Sequence, residues 1–278
     1  MKYIDAIRLF EGELGQALEG DEELEARELL AYALKKDKAY LRLYPNNELS
    51  NEEEGLFLEL MEKRKTGYPL QYILGEWEFY GIALRVGEGV LIPRADTEAL
   101  VDLALSLDVI KNGGAKLLDL CSGSGAIPIA ISKNASLARA DAVELSEEAY
   151  FYLKENSKGT ILCPILEDCL SFCPRTCYDV ITCNPPYISF SERKSLKREL
   201  DFEPEMALTA KDEGLYFYKQ IARRYKSYLN KGGYLIFEIG YNQKESVQNI
   251  LLENGYKSVS TIKDLGGNDR VCFGRREG

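Results

Sequence analysis

The chain of 278 residues has room for one large domain or a large one with a small companion, and its 45% hydrophobic and 29% charged residues suit a water-soluble globular protein. It contains no histidine, which excludes a Ser-His-Asp triad, a Cys-His pair and any imidazole base or His-ligated metal. A formal charge of −10 argues against a protein that grips nucleic-acid phosphates and suits a basic partner better.

The opening stretch MKYIDAIRLFEGEL carries Asp5 and Glu11 and no uninterrupted apolar core, so it does not read as a secretory signal. No stretch approaches the ~18 apolar residues of a membrane span. Seven cysteines, an odd number, in a chain too long to need disulfides point to reduced thiols in the cytoplasm. Cys169, Cys173 and Cys177 recur every four residues with Cys183 shortly after. Pro174 interrupts any helix that would align them and the paired Cys-x-x-Cys spacing is missing, so no metal site is expected.

Residues 1–66 read as a helical unit. Ile4, Ile7, Leu14 and Leu18, then Leu29, Leu30, Ala33 and Leu34, then Leu56, Phe57, Leu60 and Met61 stand at helical spacing. Ser50 and Glu53 have the spacing of a capping box for the last helix, and Gly20-Asp21 and Pro45-Asn46-Asn47 supply turns. This unit holds 16 acids against 10 bases, the larger part of the net charge, which fits either a solvated surface or a face for a basic protein.

Residues 67–93, rich in glycine and aromatics, read as a linker with a β-hairpin, Trp77 to Tyr80 and Leu84 to Val86 flanking Gly81. From there short apolar runs alternate with helices. Strands are expected at 117–120, 140–143, 161–162, 180–183, 234–237 and 271–273, and helices around 125–134, 146–157, 213–230 and 242–254. That alternation specifies an α/β domain with a parallel sheet, over residues 94–278.

The run Asp119-Leu120-Cys121-Ser122-Gly123-Ser124-Gly125 follows the first strand of this sheet and opens a helix, where a doubly wound fold binds a nucleotide. Its spacing is neither the dinucleotide fingerprint nor a P-loop. An acid four residues before Gly123-Ser124-Gly125 resembles the first motif of class I methyltransferases, which bind S-adenosylmethionine. Glu144 ends the next strand and is placed for both ribose hydroxyls; Asp168 follows the third. Taken singly, Glu144 could be a plain helix-start charge, since Ser146 reads as an N-cap.

Asn184-Pro185-Pro186-Tyr187 closes the fourth strand. Two prolines remove two N–H donors, leaving a stiff loop whose backbone offers only acceptors. A planar amino group has two hydrogens, which the Asn184 side-chain oxygen and the Pro185 carbonyl can take one each, turning the nitrogen lone pair toward a methyl donor. Tyr187 can supply an aromatic face to the cationic centre.

These motifs, with Gly67 to Gly75, Val90 to Glu98, Phe202-Glu203-Pro204, Ala207-Leu208 and the tail Asp264 to Arg270, resemble the bacterial peptide chain release factor glutamine methyltransferase (PrmC/HemK) family over essentially the whole chain. The resemblance implies a class I, Rossmann-like methyltransferase with a mostly parallel seven-stranded sheet behind a small helical bundle that recognises the release factor. It implies methyl transfer from S-adenosylmethionine, yielding S-adenosylhomocysteine, to the side-chain amide nitrogen of the Gly-Gly-Gln glutamine of class 1 release factors, by a monomer with no direct nucleic-acid or membrane contact. The cofactor roles fall on Asp119, Cys121, Ser122, Gly123, Ser124, Gly125, Glu144, Asp168, Cys169 and Asn184. The catalytic and substrate roles fall on Asn184, Pro185, Pro186 and Tyr187. Two departures stand out: Cys121 replaces a common glycine, and Cys169 an aromatic that packs on adenine. A ribosomal-protein glutamine, an adenine amino group in nucleic acid, or binding of a release factor without turnover are the competing readings; the last two conflict with the acidic composition and the intact Asn184–Tyr187 loop respectively.

Overall fold

The computed structural model describes residues 1–14, 22–193 and 198–278, in two compact units, Met1–Gly75 and Glu76–Gly278. Leu18 and the turn at Gly20-Asp21 lie outside the described residues.

The first unit is helical. In α1 (Tyr3–Leu14) the side chains of Tyr3, Ile7, Phe10 and Leu14 recur every three or four residues and are buried. The second helix, α2 (Glu22–Leu34), buries Ala26, Leu29, Leu30, Ala33 and Leu34. The short α3 (Lys38–Leu43) is one the periodicity does not reveal; it is capped by Asp37, which accepts the Tyr40 N–H at 2.7 Å. Ser50 and Glu53 form both bonds of the capping box that opens α4 (Asn51–Lys65). Phe57 and Met61 of α4 are buried, as is Arg64, which pairs with Glu25 at 2.7 Å. Finally α5 (Leu70–Leu74) ends at Gly75, whose φ of 74° is the left-handed C-cap that glycine adopts without strain.

The second unit begins with a hairpin, β1 (Glu76–Phe79) and β2 (Ile82–Arg85), joined through Tyr80 and Gly81 at φ 54° and 70°. Two helices, α6 (Glu98–Ser106) and α7 (Asp108–Lys111), precede the sheet. The chain then alternates through β3 (Ala115–Leu120), α8 (Ala126–Asn134), β4 (Leu137–Glu144), α9 (Glu147–Asn156), β5 (Leu162–Leu166) and β6 (Tyr178–Cys183). After α10 (Phe190–Arg193) and α11 (Glu205–Leu208) come α12 (Tyr216–Tyr225), β7 (Leu229–Glu238), α13 (Lys244–Glu253), β8 (Lys257–Lys263) and β9 (Asp269–Arg275). The helix expected over 213–230 is shorter, because the chain is already extended at Leu229. The sequence reading lacks β8, an edge strand with no buried residue and therefore no apolar run to betray it.

The seven strands stand in the order β5-β4-β3-β6-β7-β9-β8. All neighbours from β5 to β7 are parallel, and β9 runs antiparallel to β7 and β8. Alternate residues serve the two faces: Leu118 and Leu120 enter one core, Leu117 the other. Both faces being covered, the central strands are continuously buried, which explains their unbroken apolar runs. The strand order reverses beside β3, so the carboxyl ends of β3 and β6 border the crevice where such sheets take ligands.

Candidate active site

Beyond β3 the backbone turns sharply through three positive φ values, 57° at Cys121, 54° at Gly123 and 85° at Gly125. Glycine meets the last two without cost; a Cβ on Gly125 would stand 2.8 Å from Leu153 Cδ1. Cys121 adopts the same left-handed region with a side chain, at a cost of about 1–2 kcal/mol. Gly125 then caps α8, its carbonyl accepting the Ile129 N–H at 3.0 Å.

Glu144, at the end of β4, closes this turn. Its Oε2 accepts the Gly123 N–H at 2.7 Å, and its Oε1 accepts the N–H groups of Leu145 and Ser146 at 2.9 and 2.8 Å. The carboxylate is 8% exposed, yet it lines the cavity described below. Ser146 is the N-cap of α9, accepting from Ala149 N–H, so the helix-start role falls on Ser146 and not on Glu144. Asp119 lies deeper. It is fully buried in β3, with Oδ1 accepting the Thr182 hydroxyl at 2.6 Å and Oδ2 without a partner. Burial raises its pKa to about 7, partly offset by that hydroxyl.

A cavity of about 390 Å³, in the range of small-molecule sites, opens at these strand ends. Cys121, Ser122, Gly123, Ser124 and Glu144 line it on one side, with Asp168 and Cys169 beyond β5 and Asn184 and Pro186 beyond β6. Asp119, Gly125, Pro185 and Tyr187 are not among its lining residues. Asp168 Oδ1 accepts the Leu170 N–H at 2.8 Å, which fixes the carboxylate at the wall. Cys169 is 3.8 Å from Cys121, sulfur to sulfur; this contact and burial push its thiol above the ordinary range. Three carboxylates, Glu144, Glu167 and Asp168, share the wall. Carboxylate acceptors beside a turn of left-handed backbone fit a hydroxyl-rich nucleoside carrying positive charge.

The loop Asn184–Tyr187 leaves β6 at Cys183. Pro185 and Pro186 are buried, and Tyr187 packs its half-buried ring against the core, its hydroxyl donating to Glu238 Oε1 at 3.3 Å. Further walls come from Pro93, Arg94 and Thr97 and from the run between Pro204 and Phe217, none of which has an expected role of its own. Glu203 joins them. Its Oε2 accepts the Ile92 N–H at 2.9 Å and its Oε1 pairs with Arg94. The loop is tied to the second wall where Ile188 donates to the Leu208 carbonyl and accepts from the Ala210 N–H, each at 2.9 Å. Among the described residues, no group of three or more His, Cys, Asp or Glu could hold a metal.

The model of the PrmC N-terminal domain family matches residues 5–75. The release factor glutamine methyltransferase of Thermodesulfovibrio yellowstonii is 39% identical over 257 residues, which is 90% of this chain and 91% of that protein. This chain belongs to the release factor glutamine methyltransferase family. Its relative of that name in Clostridium botulinum is 36% identical and matches 95% of this chain and 96% of its own length. A methyltransferase of known structure from Pyrococcus furiosus, 16% identical with a TM-score of 0.54, covers 71% of this chain and 90% of its own and shares the fold. The stretch matched by the PrmC N-terminal domain family coincides with the first, helical unit, Met1–Gly75.

Proposed function

We propose that this protein transfers a methyl group from S-adenosylmethionine to the side-chain amide nitrogen of the glutamine in the Gly-Gly-Gln loop of class 1 release factors. The reading rests chiefly on one observation: a glycine-rich turn with its carboxylate and the residues Asn184 and Pro186 face a single cavity in a chain whose release factor glutamine methyltransferase relatives match it over nine-tenths of its length. Bound S-adenosylmethionine would supply an electrophilic methyl on a sulfonium and leave as S-adenosylhomocysteine, the methylated amide giving up one of its two hydrogens as a proton to water.

The chain's own residues bind, orient and receive. Glu144 accepts the ribose hydroxyls, the turn from Cys121 to Gly125 gives the cofactor a close approach to backbone, and Asp168 and Cys169 face its base. Asp119 supports the turn from beneath, and Asn184 borders cofactor and substrate alike. An amide nitrogen is a poor nucleophile because its lone pair is delocalised, so placement carries much of the catalysis. Asn184 Oδ1 and the Pro185 carbonyl accept one amide hydrogen each, which holds both N–H bonds in place and aims the nitrogen. Pro186 stiffens that lip, and Tyr187 secures it.

Residues 1–66 recognise the release factor and 94–278 carry most of the chemistry, while the expected linker 67–93 divides at Gly75, its hairpin belonging to the second unit; the net charge of −6 on residues 1–66 suits a partner with a basic surface. The protein acts as a cytoplasmic monomer without direct contact to nucleic acid or membrane. Among the described residues, no helix is long and apolar enough to cross a membrane. Incubation with a release factor and S-adenosylmethionine, followed by fragmentation mass spectrometry, should find one added methyl on the Gly-Gly-Gln glutamine. A methyl found elsewhere, or none, would refute the assignment.

A further inference from the structure

Tyr187 does not reach the cavity, and it is held at both ends. Its hydroxyl donates to Glu238 Oε1 at 3.3 Å and its carbonyl accepts from Gln243 Nε2 at 3.0 Å. The orientation of Gln243 is fixed from its other side, because Oε1 accepts the Gly240 N–H at 3.0 Å and the Tyr218 hydroxyl at 3.2 Å, which leaves Nε2 to face Tyr187. A third element closes on the same carbonyl: a Cβ on Gly214 would stand 2.0 Å from the Tyr187 oxygen, and Gly214 has a φ of +83° that favours glycine.

Glu238 is 2% exposed at the end of β7, and its Oε2 has no partner. A buried carboxyl with an unmet acceptor is a poor way to gain stability, since an apolar side chain would fill the space at lower cost. Thr97, which lines the cavity, and the Arg270 charge both stand near Glu238. The acceptor loop has reason to need such help. Pro185 and Pro186 have no N–H to donate, so the residue after them is the first whose backbone and side chain can both be tied down.

We infer that Glu238 and Gln243 are positioning residues that hold the acceptor loop through Tyr187 and so set where Asn184 and Pro186 stand in the cavity. The inference rests on the reading of residues 184–187 as the acceptor loop. It predicts that Tyr187→Phe and Glu238→Gln lower turnover on a release factor by about 10- to 100-fold, the scale of a small misplacement at a reacting centre, while cofactor affinity stays at the wild-type value. Tyr187→Phe combined with Glu238→Ala should be no worse than the more damaging of the two single changes, because both break one connection. Glu238→Gln retains an oxygen that can accept the tyrosine hydroxyl, so it should lose less than Glu238→Ala. Amide exchange in 187–190 should quicken in both conservative variants and stay unchanged in 121–125.

Wild-type turnover and wild-type exchange in Tyr187→Phe and Glu238→Gln would overturn the inference. Should the wild-type protein itself leave a release factor unmodified, the proposed function fails, and the exchange measurement still decides whether Glu238 anchors the loop.

Discussion

Residues 119–125 keep their shape through backbone conformation, with positive φ at Cys121, Gly123 and Gly125, whereas residues 184–187 keep theirs through side chains 51 and 56 residues further along the chain. The first is a local device: glycine at two of its three positive-φ positions, one carboxylate across the gap, and a helix start. The second is a loop stripped of donors by its two prolines and held from outside. A turn of the first kind tolerates change at a distance, while a loop of the second kind transmits it.

The largest effect should come from the tip of the acceptor loop. Asn184→Ala removes one acceptor and leaves both prolines, so turnover should fall roughly 10²- to 10³-fold while calorimetry still finds normal cofactor affinity. Asn184→Asp, which keeps an oxygen but adds a charge, should be intermediate in the same initial-rate assay. On the other side of the cavity Glu144→Gln replaces an acceptor of three N–H groups with one that also presents its own donors. Cofactor binding should weaken by about 1–3 kcal/mol by calorimetry.

Asp119, beneath the glycine turn, makes stability depend on pH. Its pKa lies at about 7 in the folded chain against 3.8 for the free group, so the unfolded chain gives up its proton first as pH rises. Stability from this group is therefore present at low pH, declines between those two values and is level above. Asp119→Asn keeps the acceptor for Thr182 and removes the titration, so its urea midpoint should vary less than that of the wild type between about pH 4.5 and pH 8. The smallest effect concerns Cys121. Cys121→Gly relieves a left-handed φ of 57° and should raise stability by up to about 1 kcal/mol in denaturant unfolding, the gain being reduced by the greater freedom of glycine in the unfolded chain.

The same contrast explains what could be read from the chain. The glycine turn, the Ser50–Glu53 capping box, the hairpin around Gly81 and the buried parallel strands each announce themselves within a few residues, because local geometry selects their side chains. The departure at Cys121 was visible too, and the structure supplies its meaning as a side chain in a glycine conformation. Tyr187 was legible as part of a motif but not in its direction; nothing near it in the sequence shows that its hydroxyl meets Glu238 instead of facing the cavity. Glu203, Glu238 and Gln243 escaped individual notice because each acts across a long chain separation, through one or two hydrogen bonds that no periodicity records. The edge strand β8 was missed for the opposite reason, having too little burial to leave an apolar pattern.

The division of labour between the two loops is tested most directly by titrating S-adenosylmethionine against the rate of methyl transfer to a release factor in Asn184→Ala and Glu144→Gln side by side. Glu144→Gln should regain a nearly normal rate once the cofactor is saturating, while Asn184→Ala stays slow at every concentration. Recovery of Asn184→Ala at high cofactor, with Glu144→Gln remaining slow, would contradict that division.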